Sequence, residues 1–315
     1  MYFNIESRNS EYRIILRSFI ENNYSIKINS IDEHTRGFYG ETWKIECNDN
    51  LKFFAKIIYF EKQEIKYRKC FRILDYMKEN GIDFVSRTIK TVNGKSYISF
   101  NRGTLAVFKF AEGIHAEDKP AAFIPYMVKI YNLPRPEFKV EHEDFSADIF
   151  LYLKHQMKKL EGNKEILNIV NSNWGLLADI SNKLNHFSQL CKKMNITSVI
   201  TSGDIGGNSL VNNGRITIID WDWIKLAPPE RDFWWYVQDP NQITGINSGF
   251  HQENFEYVLD NNILGYYAFF SFIYFLTEII DSFLYNPVSK PEVTKRLGEY
   301  FSEENCMFKC IRNVK

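Results

Sequence analysis

The stretch from 201 to 239 constrains the fold of this chain most, because it combines a predicted hairpin with three polar side chains. An Asn-Gly pair supplies the positive φ angles of a tight turn between two short runs of apolar and β-branched residues. Folding this hairpin brings Asp204, Asn208 and Asp220 to one end of it. Two carboxylates and a carboxamide at one point can hold a divalent metal ion and a hydroxyl nucleophile, which is the arrangement that phosphoryl transfer requires.

The composition is that of a globular protein, and it argues against a nucleic-acid partner. A length of 315 residues fits one large or two medium domains. Apolar residues make up 44% of the chain and charged residues 25%, which are ordinary proportions for a chain with a packed core. Lys and Arg together number 39, as do Asp and Glu, so there is no excess positive charge to attract a polyanion.

Cysteine usage and the apolar segments predict a cytoplasmic protein without a membrane span. The five cysteines are scattered and odd in number, which is typical of reduced thiols. The N-terminus lacks the apolar core of a signal peptide. The most apolar run, 263–276, is shorter than the roughly 20 residues that a span needs, so it predicts a buried helix. We expect a monomer, with a dimer as the alternative.

Hydrophobic periodicity predicts an α+β chain of two lobes, 1–112 and 113–315, with a cleft between them. The N-terminal lobe is predicted as a five-stranded, largely antiparallel sheet with one inserted helix at 61–80 and a strand near 86–92. The C-terminal lobe is predicted to be mostly helical, apart from the hairpin. Its helices are expected at 120–132, 146–160, 164–172, 175–194, 252–260, 263–285 and 291–300.

A lysine in the third strand indicates an anion site in the cleft. Lys56 interrupts an apolar run, and a buried ammonium is costly unless it meets an anion such as the phosphates of ATP. The alternative is an edge-strand lysine facing solvent. On the 61–80 helix Glu64 is the preferred partner for Lys56 over Glu61, although either glutamate could be a solvated charge favoured by the helix dipole.

Two further segments are candidates for nucleotide contacts. Gly37 and Gly40 flank a turn where the backbone could approach phosphate oxygens closely, with an ordinary hairpin turn as the alternative. Phe110 and Glu112 lie at the predicted junction of the lobes. A strand that ends there leaves backbone N–H and C=O groups to pair with the edge of an adenine.

The hairpin and the residues after it resemble a known family. Residues 208–215 and 219–221 are similar to the motif H-G-D-x-x-x-x-N-I-L-V followed by I-D-W in the aminoglycoside phosphotransferase family. The continuation over 221–232 is similar to the spectinomycin branch, which has I-D-W-D, then L-A-P, then E-R-D. The resemblance is specific in this stretch and looser over the rest of the chain. The E-R-D residues, 230–232, are expected to hold the catalytic loop to the helical lobe through ion pairs.

The resemblance implies a protein-kinase-like fold and the transfer of the γ-phosphoryl group of ATP, or sometimes GTP, to a hydroxyl of a small molecule. By matched position, Asp204 would orient the hydroxyl and accept its proton. Asn208 and Asp220 would bind Mg²⁺, and Lys56 would hold phosphates.

The sequence departs from the family motif at two places. Ser202 replaces the histidine of the motif. Asn208 follows Asp204 by four residues where the family usually has five, so the loop is one residue short, unless Ser209 takes the place of the asparagine in register. If the shortened loop does not present Asn208, one metal ligand is lost.

An aminocyclitol acceptor carries ammonium groups, which pair with carboxylates. Four acidic residues are the substrate-facing candidates: Asp222, Asp239, Glu278 and Asp281. For Asp222 a structural role is the alternative, and either role is favoured over metal binding. Glu278 and Asp281 are three apart on one helix and share a face. That helix is also rich in aromatic residues, which indicates a packed core or an acceptor less cationic than an aminoglycoside.

The leading function is therefore an antibiotic-resistance phosphotransferase that uses ATP and magnesium. The alternatives are a housekeeping kinase for choline, a sugar or homoserine, and a nucleotide-binding pseudokinase with a shortened loop.

Overall fold

The structure is a computed structural model that describes residues 10–34, 40–59, 61–115, 120–285 and 288–314. The side chains of Asp49 and of residues 61–63 lie outside this description. Gly37 also lies outside the described residues, so its predicted place beside the phosphates stays a prediction.

The predicted five-stranded antiparallel sheet of the N-terminal lobe is confirmed. Its spatial order is β1-β2-β3-β5-β4, with every neighbouring pair antiparallel. The five strands are β1 (Ile28–Glu33), β2 (Gly40–Cys47), β3 (Lys52–Ile58), β4 (Ile98–Phe100) and β5 (Gly103–Lys109). Lys56 lies in the central strand β3, opposite Thr42 of β2 and Ala106 of β5. This position excludes the edge-strand alternative.

The separate strand expected near 86–92 is not formed. β4 pairs with the first half of β5, from Gly103 to Leu105, so only the second half of that edge is left. The 86–92 segment runs beside this second half and contributes one isolated bridge, Thr88 to Phe108, with two flanking backbone hydrogen bonds.

The two helices of the N-terminal lobe cover opposite faces of the sheet, because successive side chains of a strand point to opposite faces. Leu105 and Val107 of β5 pack with α1 (Ser10–Tyr24), whose buried residues recur every four positions. Ala106 and Phe108 belong to the core that includes α2 (Glu61–Glu79).

The C-terminal lobe is mostly helical, as predicted. Its helices are α3 (Pro120–Tyr131), α4 (Ile149–Lys159), α5 (Lys164–Ser172), α6 (Trp174–Cys191), α7 (Glu230–Phe233), α8 (Pro240–Gln252), α9 (Asn261–Tyr285), α10 (Lys290–Tyr300) and α11 (Cys306–Asn313). Its strands are β6 (Ile114–His115), β7 (Val199–Thr201), β8 (Ser209–Asn212), β9 (Arg215–Ile218) and β10 (Lys225–Ala227).

The long apolar helix α9 is a buried helix of this lobe. It is the one helix in the described part of the chain that is long and apolar enough to cross a membrane, and 78% of its most apolar window is buried in the fold. Phe187 and Cys191 of α6 pack against α9, and so do residues of α10 and α11.

The prediction of a helix at 252–260 is wrong. The helical segment there is α8, which begins at Pro240 after the N-cap Asp239 and ends at Gln252. Asn254 then adopts a positive φ of 56°, which an α-helix cannot contain. The terminal helix α11, capped by Asn305, was not predicted.

The two lobes share one large core, which includes α2 together with the helices of the C-terminal lobe. A smaller core lies between α1 and the sheet. The predicted boundary at 112 and 113 falls in the irregular stretch between β5 and β6, and β6 pairs with β8 of the catalytic hairpin. The division at that residue stays a prediction.

Candidate functional site

The catalytic hairpin forms as the sequence predicted. β8 and β9 pair from Ser209 opposite Ile218 to Asn212 opposite Arg215. The two turn residues, Asn213 and Gly214, have φ angles of 48° and 75°, which is the conformation that favours an Asn-Gly pair.

The end of the hairpin places Asp220 beside Asn208. The backbone N–H of Ile219 donates to the carbonyl oxygen of Asn208 at 2.8 Å. Asp220 follows with a φ of 54°, in the left-handed region that aspartate tolerates better than most residues. Both side chains line the same cavity between the lobes.

Lys56 crosses from the N-terminal lobe to this point. Its ammonium lies 2.7 Å from Oδ1 of Asp220 and 2.6 Å from Oδ2 of Asp222. Burial alone would lower the pKa of Lys56, but the two carboxylates raise it, so the group is a cation. Burial raises the pKa of Asp222 to about 6 against the opposing effect of Lys56, and the charge of Asp220 adds to the rise.

The contacts of Asp222 and Glu64 bear on their expected roles. Asp222, interpreted as structural or substrate-facing, contacts the ammonium of Lys56, which suits the structural alternative. Glu64, predicted to pair with Lys56, accepts hydrogen bonds from Arg68 at 2.6 Å and from Thr104. Among the described side chains, the ion pairs of Lys56 run to Asp220 and Asp222 and none to Glu64. Arg68 lies one turn along α2, which makes it the nearer partner for Glu64.

Two residues of the E-R-D motif, Arg231 and Asp232, hold the loop that contains Asp204 through hydrogen bonds. The N–H of Gly203 donates to Oδ1 of Asp232 at 2.6 Å. The buried guanidinium of Arg231 donates to Oγ1 of Thr201 at 2.9 Å and to the carbonyl oxygen of Trp223 at 2.5 Å. Gly203 has a φ of 90°, and a Cβ there would lie 2.4 Å from the guanidinium of Arg231.

The remaining motif residue, Glu230, binds a different part of the helical lobe. It accepts hydrogen bonds from the hydroxyl of Tyr257 at 2.9 Å and from the N–H of Asp260 at 2.6 Å. Burial raises the pKa of Glu230 to about 7 and that of Asp232 to about 6, while their hydrogen bonds oppose the rise. The motif thus holds the loop mainly by hydrogen bonds, rather than only by the expected ion pairs.

The shortened loop still brings Asn208 to the cavity. The Nδ2 group of Asn208 donates to the carbonyl oxygen of Asp204 at 2.9 Å, and its own N–H donates to Ile205. This bond leaves the amide oxygen of Asn208 as the atom that can bind a metal. Ser209, the alternative in register, is fully buried and donates its hydroxyl to Ile205 at 2.9 Å. Asp204 is exposed and lines the cavity with Asn208.

Ser202, which stands where the family has histidine, contributes its backbone to this arrangement through a hydrogen bond to Asp232, and not its side chain. It is fully buried, and its hydroxyl has no hydrogen-bond partner among the described residues.

Asp220 and Asn208 fit a magnesium ion that is shared with phosphates. Both offer oxygen atoms, which Mg²⁺ prefers, and Mg²⁺ is usually held by one or two carboxylates together with substrate phosphates and water. In the described ranges there is no group of three or more His, Cys, Asp or Glu side chains that could hold a metal by itself. The two ligands therefore suit an ion that arrives with a nucleotide.

The cavity between the lobes measures about 1420 Å³. The predicted nucleotide-binding residues Gly40, Lys56, Phe110 and Glu112 are among those that line it. Glu112 forms an exposed ion pair with Lys52 at 2.6 Å. A Cβ on Gly40 would lie 1.8 Å from the carbonyl oxygen opposite it in β3, so strand packing requires this glycine even without a phosphate.

Two of the carboxylates predicted to face the acceptor also line the cavity. Glu278 and Asp281 both line it, and the hydroxyl groups of Tyr274 and Tyr152, respectively, donate to them. Asp239 is not among the described lining residues. It caps α8 by accepting the N–H of Asn241, which is the ordinary role of an aspartate before Pro.

The aromatic residues of α9 divide between core and cavity. Phe269 and Phe272 are buried in the core, whereas Phe270 and Tyr274 line the cavity. Trp223 packs edge-on against Tyr274, with 4.5 Å between ring centroids. The packed-core interpretation therefore holds for one face of α9, and the other face brings aromatic rings to the cavity. An acceptor less cationic than an aminoglycoside stays a prediction.

Lys66 of α2 lines the cavity and was not predicted. Its ammonium lies 4.0 Å above the ring of Trp223. Burial, helped by the charges of Lys225 and Arg231, lowers the pKa of Lys66 to about 8. A lysine on a charged helix carries no signal of this contact, because Trp223 is 157 residues away along the chain.

Comparison with family models and with curated proteins finds no match to the sequence. Solved structures match over nearly the whole chain. Spectinomycin phosphotransferase in complex with ADP and spectinomycin has a TM-score of 0.74 at 18% identity, covering 95% of this chain and 98% of that one. A microcompartment-associated aminopropanol kinase has a TM-score of 0.64 at 14% identity, covering 94% and 95%. Amicoumacin kinase in complex with AMP-PNP and Ca²⁺ has a TM-score of 0.62 at 13% identity, covering 97% and 95%.

At these identities the likeness establishes the fold. The bilobal, protein-kinase-like fold predicted from the motif is confirmed, and the spectinomycin branch that the motif indicated is represented among the similar structures.

Proposed function

We propose that this chain is a small-molecule kinase that transfers the γ-phosphoryl group of ATP to a hydroxyl of an aminoglycoside or aminocyclitol antibiotic. One observation carries the proposal. Lys56 reaches across the cleft to Asp220 and Asp222, and the same cavity is lined by Asp204 and Asn208. A cation, a pair of metal ligands and a candidate base thus meet in one cleft, as phosphoryl transfer requires.

The residues divide the chemistry as follows. Asp204 accepts the proton of the acceptor hydroxyl as the bond from its oxygen to the γ-phosphorus forms and the bond to the β,γ-bridging oxygen breaks, which releases ADP. Lys56 holds the phosphates in place. Mg²⁺ bound by Asn208 and Asp220 would neutralise the charge of the phosphates.

The nucleotide is proposed to be ATP, with GTP as the alternative. The similar structures of spectinomycin phosphotransferase and amicoumacin kinase contain ADP and AMP-PNP, respectively. Residues 110–113, between β5 and β6, line the cavity, where an adenine edge could pair with the backbone.

The acceptor is proposed to be a cationic antibiotic, because Glu278 and Asp281 offer carboxylates at the far end of the cavity. The aromatic lining of Trp223, Phe270 and Tyr274 favours a second candidate, a housekeeping kinase for a small amino alcohol of the choline type. The likeness to an aminopropanol kinase supports this alternative.

We also propose that the protein is cytoplasmic and that it is a monomer, with a dimer as the alternative. All five cysteines are free thiols, which suits a reducing compartment.

Transfer of radiolabelled phosphate from ATP in the presence of Mg²⁺ tests the proposal, with a panel of aminocyclitols, aminoglycosides and amino alcohols as acceptors. We expect labelled product with one class, and Asp204→Asn should lower turnover by roughly 100-fold or more while nucleotide binding persists. Asp179→Asn, an exposed aspartate on α6, is the matched control and should leave turnover unchanged.

The outcomes separate the alternatives. No labelled product with any acceptor, in a protein that still binds nucleotide, would support the pseudokinase. Near-normal turnover in Asp204→Asn would show that Asp204 is not the base.

A further inference from the structure

A second cavity, of about 220 Å³, lies behind α2. The C-terminal lobe contributes residues 138–141 and 222–225 to its lining. Six basic side chains line it, namely Lys66, Arg68, Lys69, Arg72, Lys139 and Lys225. Two carboxylates, those of Glu141 and Asp222, line it with them, and Arg68 and Lys225 also pair with Glu64 and Glu143, respectively. The six cations therefore outnumber the carboxylates around them. Because the whole chain has equal numbers of acidic and basic residues, this excess of positive charge is local.

Two of these cations, Lys66 and Arg72, lie over an aromatic ring rather than beside a carboxylate. The ammonium of Lys66 lies 4.0 Å above Trp223, and the guanidinium of Arg72 lies 4.1 Å above Phe138. Within the described ranges, no carboxylate oxygen lies within 4.0 Å of the charged nitrogens of Lys66, Arg72 or Lys139. A guanidinium stacked on a ring keeps its in-plane N–H donors for an oxyanion.

The carboxylate of Glu141 marks a position in this cavity where two ammonium groups attract an anionic oxygen. Its carboxylate lies 3.9 Å from the ammonium of Lys69 and 3.4 Å from that of Lys225. It is 41% exposed, and such long, exposed pairs contribute little to stability. A doubly charged oxyanion would attract the same two cations more strongly than one carboxylate does.

The electrostatics of Lys66 agree with incompletely balanced charge. Burial is the largest cause that lowers the pKa of Lys66 to about 8, and the positive charge of Lys225 is the next largest. Glu141 and Glu278 oppose this effect without cancelling it.

We propose that this cavity is a second ligand site, distinct from the catalytic cleft, and that it binds a small phosphate-type oxyanion. The volume suits a phosphate group and is too small for a nucleotide. An arginine fork binds phosphate through paired hydrogen bonds, and Arg72, whose guanidinium lies over the ring of Phe138, lines the cavity. The proposal does not depend on the chain being a kinase.

An anion in this cavity would join the two lobes. Lys69 and Arg72 belong to α2 of the N-terminal lobe, whereas Lys139 and Lys225 belong to the C-terminal lobe. Four residues line both cavities and form their common wall, namely Lys66, Asp222, Trp223 and Lys225. A bound anion would therefore stabilise the lobes against each other, behind the catalytic cleft.

Isothermal titration calorimetry with orthophosphate tests the proposal on protein saturated with ADP and Mg²⁺, so that the nucleotide site is occupied. We expect one orthophosphate site in the wild type. The double variant Lys69→Gln/Arg72→Gln should weaken binding by roughly tenfold or more, because each hydrogen bond between charged groups is worth about that factor. Neither residue lines the catalytic cavity.

The matched control is Lys192→Gln/Lys193→Gln, which removes the same charge from exposed positions beyond the end of α6 and should bind orthophosphate as the wild type does. The single variant Lys69→Gln, at a side chain 63% exposed, tests the site if the double variant does not fold. The proposal is wrong if the folded wild type binds no orthophosphate, if the Lys69 and Arg72 variants bind it unchanged, or if the control weakens binding equally.

Discussion

The ion pairs of Lys56 run to the segment after the hairpin, whereas α2 contributes the ring of Tyr67, whose centroid lies 5.6 Å from the ammonium. Asp220 is 45% exposed, whereas Asp222 is 18% exposed and contacts Lys56 at the shorter distance of 2.6 Å. Under the proposed function, Asp222 would therefore keep the ammonium directed at the cleft if Asp220 held a metal ion. Glu64 is held by Arg68 and Thr104, so its charge acts on α2 rather than on Lys56.

We predict that Asp222→Asn weakens nucleotide binding by roughly tenfold, since one charge-assisted hydrogen bond to Lys56 is lost. Glu64→Gln is the matched control and should change binding by about twofold or less, because its contacts lie away from Lys56. Titration of each variant with ADP and Mg²⁺ measures both dissociation constants. A larger effect in Glu64→Gln would show that Lys56 moves to α2 when nucleotide is bound.

At the scale of elements, the catalytic loop depends on close packing between Gly203 and α7. The N–H of Gly203 donates to Asp232, and the guanidinium of Arg231 fills the space where a Cβ would be. Gly214 in the hairpin turn also has a positive φ, but a Cβ there would meet no atom within 4 Å. The two glycines separate the cost of backbone conformation from the cost of displacing Arg231.

We predict that Gly203→Ala unfolds or inactivates the protein, whereas Gly214→Ala costs only about 1–2 kcal/mol of stability from its left-handed backbone. The larger effect at Gly203 has a physical cause, since moving Arg231 also breaks its hydrogen bonds to Thr201 and Trp223. Urea unfolding and the phosphate-transfer assay measure the two effects. Equal loss of stability in both variants would mean that Arg231 can move aside without cost.

Elements governed by local rules could be predicted from the sequence, and contacts between distant segments could not. The hairpin follows from the Asn-Gly turn, and the buried helix α9 follows from its apolar run. Asp239 followed by Pro240 is a local signal of a helix start, and reading it as a substrate contact missed this signal. The contact of Lys66 with Trp223 carries no such signal, because helix periodicity says nothing about which distant ring a lysine meets.

At the scale of the whole molecule, buried carboxyl groups link the stability of the fold to pH. Burial raises the pKa of Glu230 to about 7, above its ordinary value of 4.5. The folded chain therefore binds this proton more tightly than the unfolded chain does. The contribution of Glu230 to stability is fully present below about pH 4.5 and is lost as the pH rises through about 7.

We predict that Glu230→Gln removes this loss, because a glutamine keeps an oxygen for the N–H of Asp260 and does not ionise. The stability of the variant relative to the wild type should rise by about 2–3 kcal/mol between about pH 5 and about pH 8. Urea unfolding at both pH values measures this difference. Glu253→Gln, at an exposed position after α8, is the control and should follow the wild type at both values. If Glu230→Gln shows the same change with pH as the wild type, then Glu230 is ionised in the folded protein throughout this range, and its hydrogen bonds to Tyr257 and Asp260 outweigh its burial.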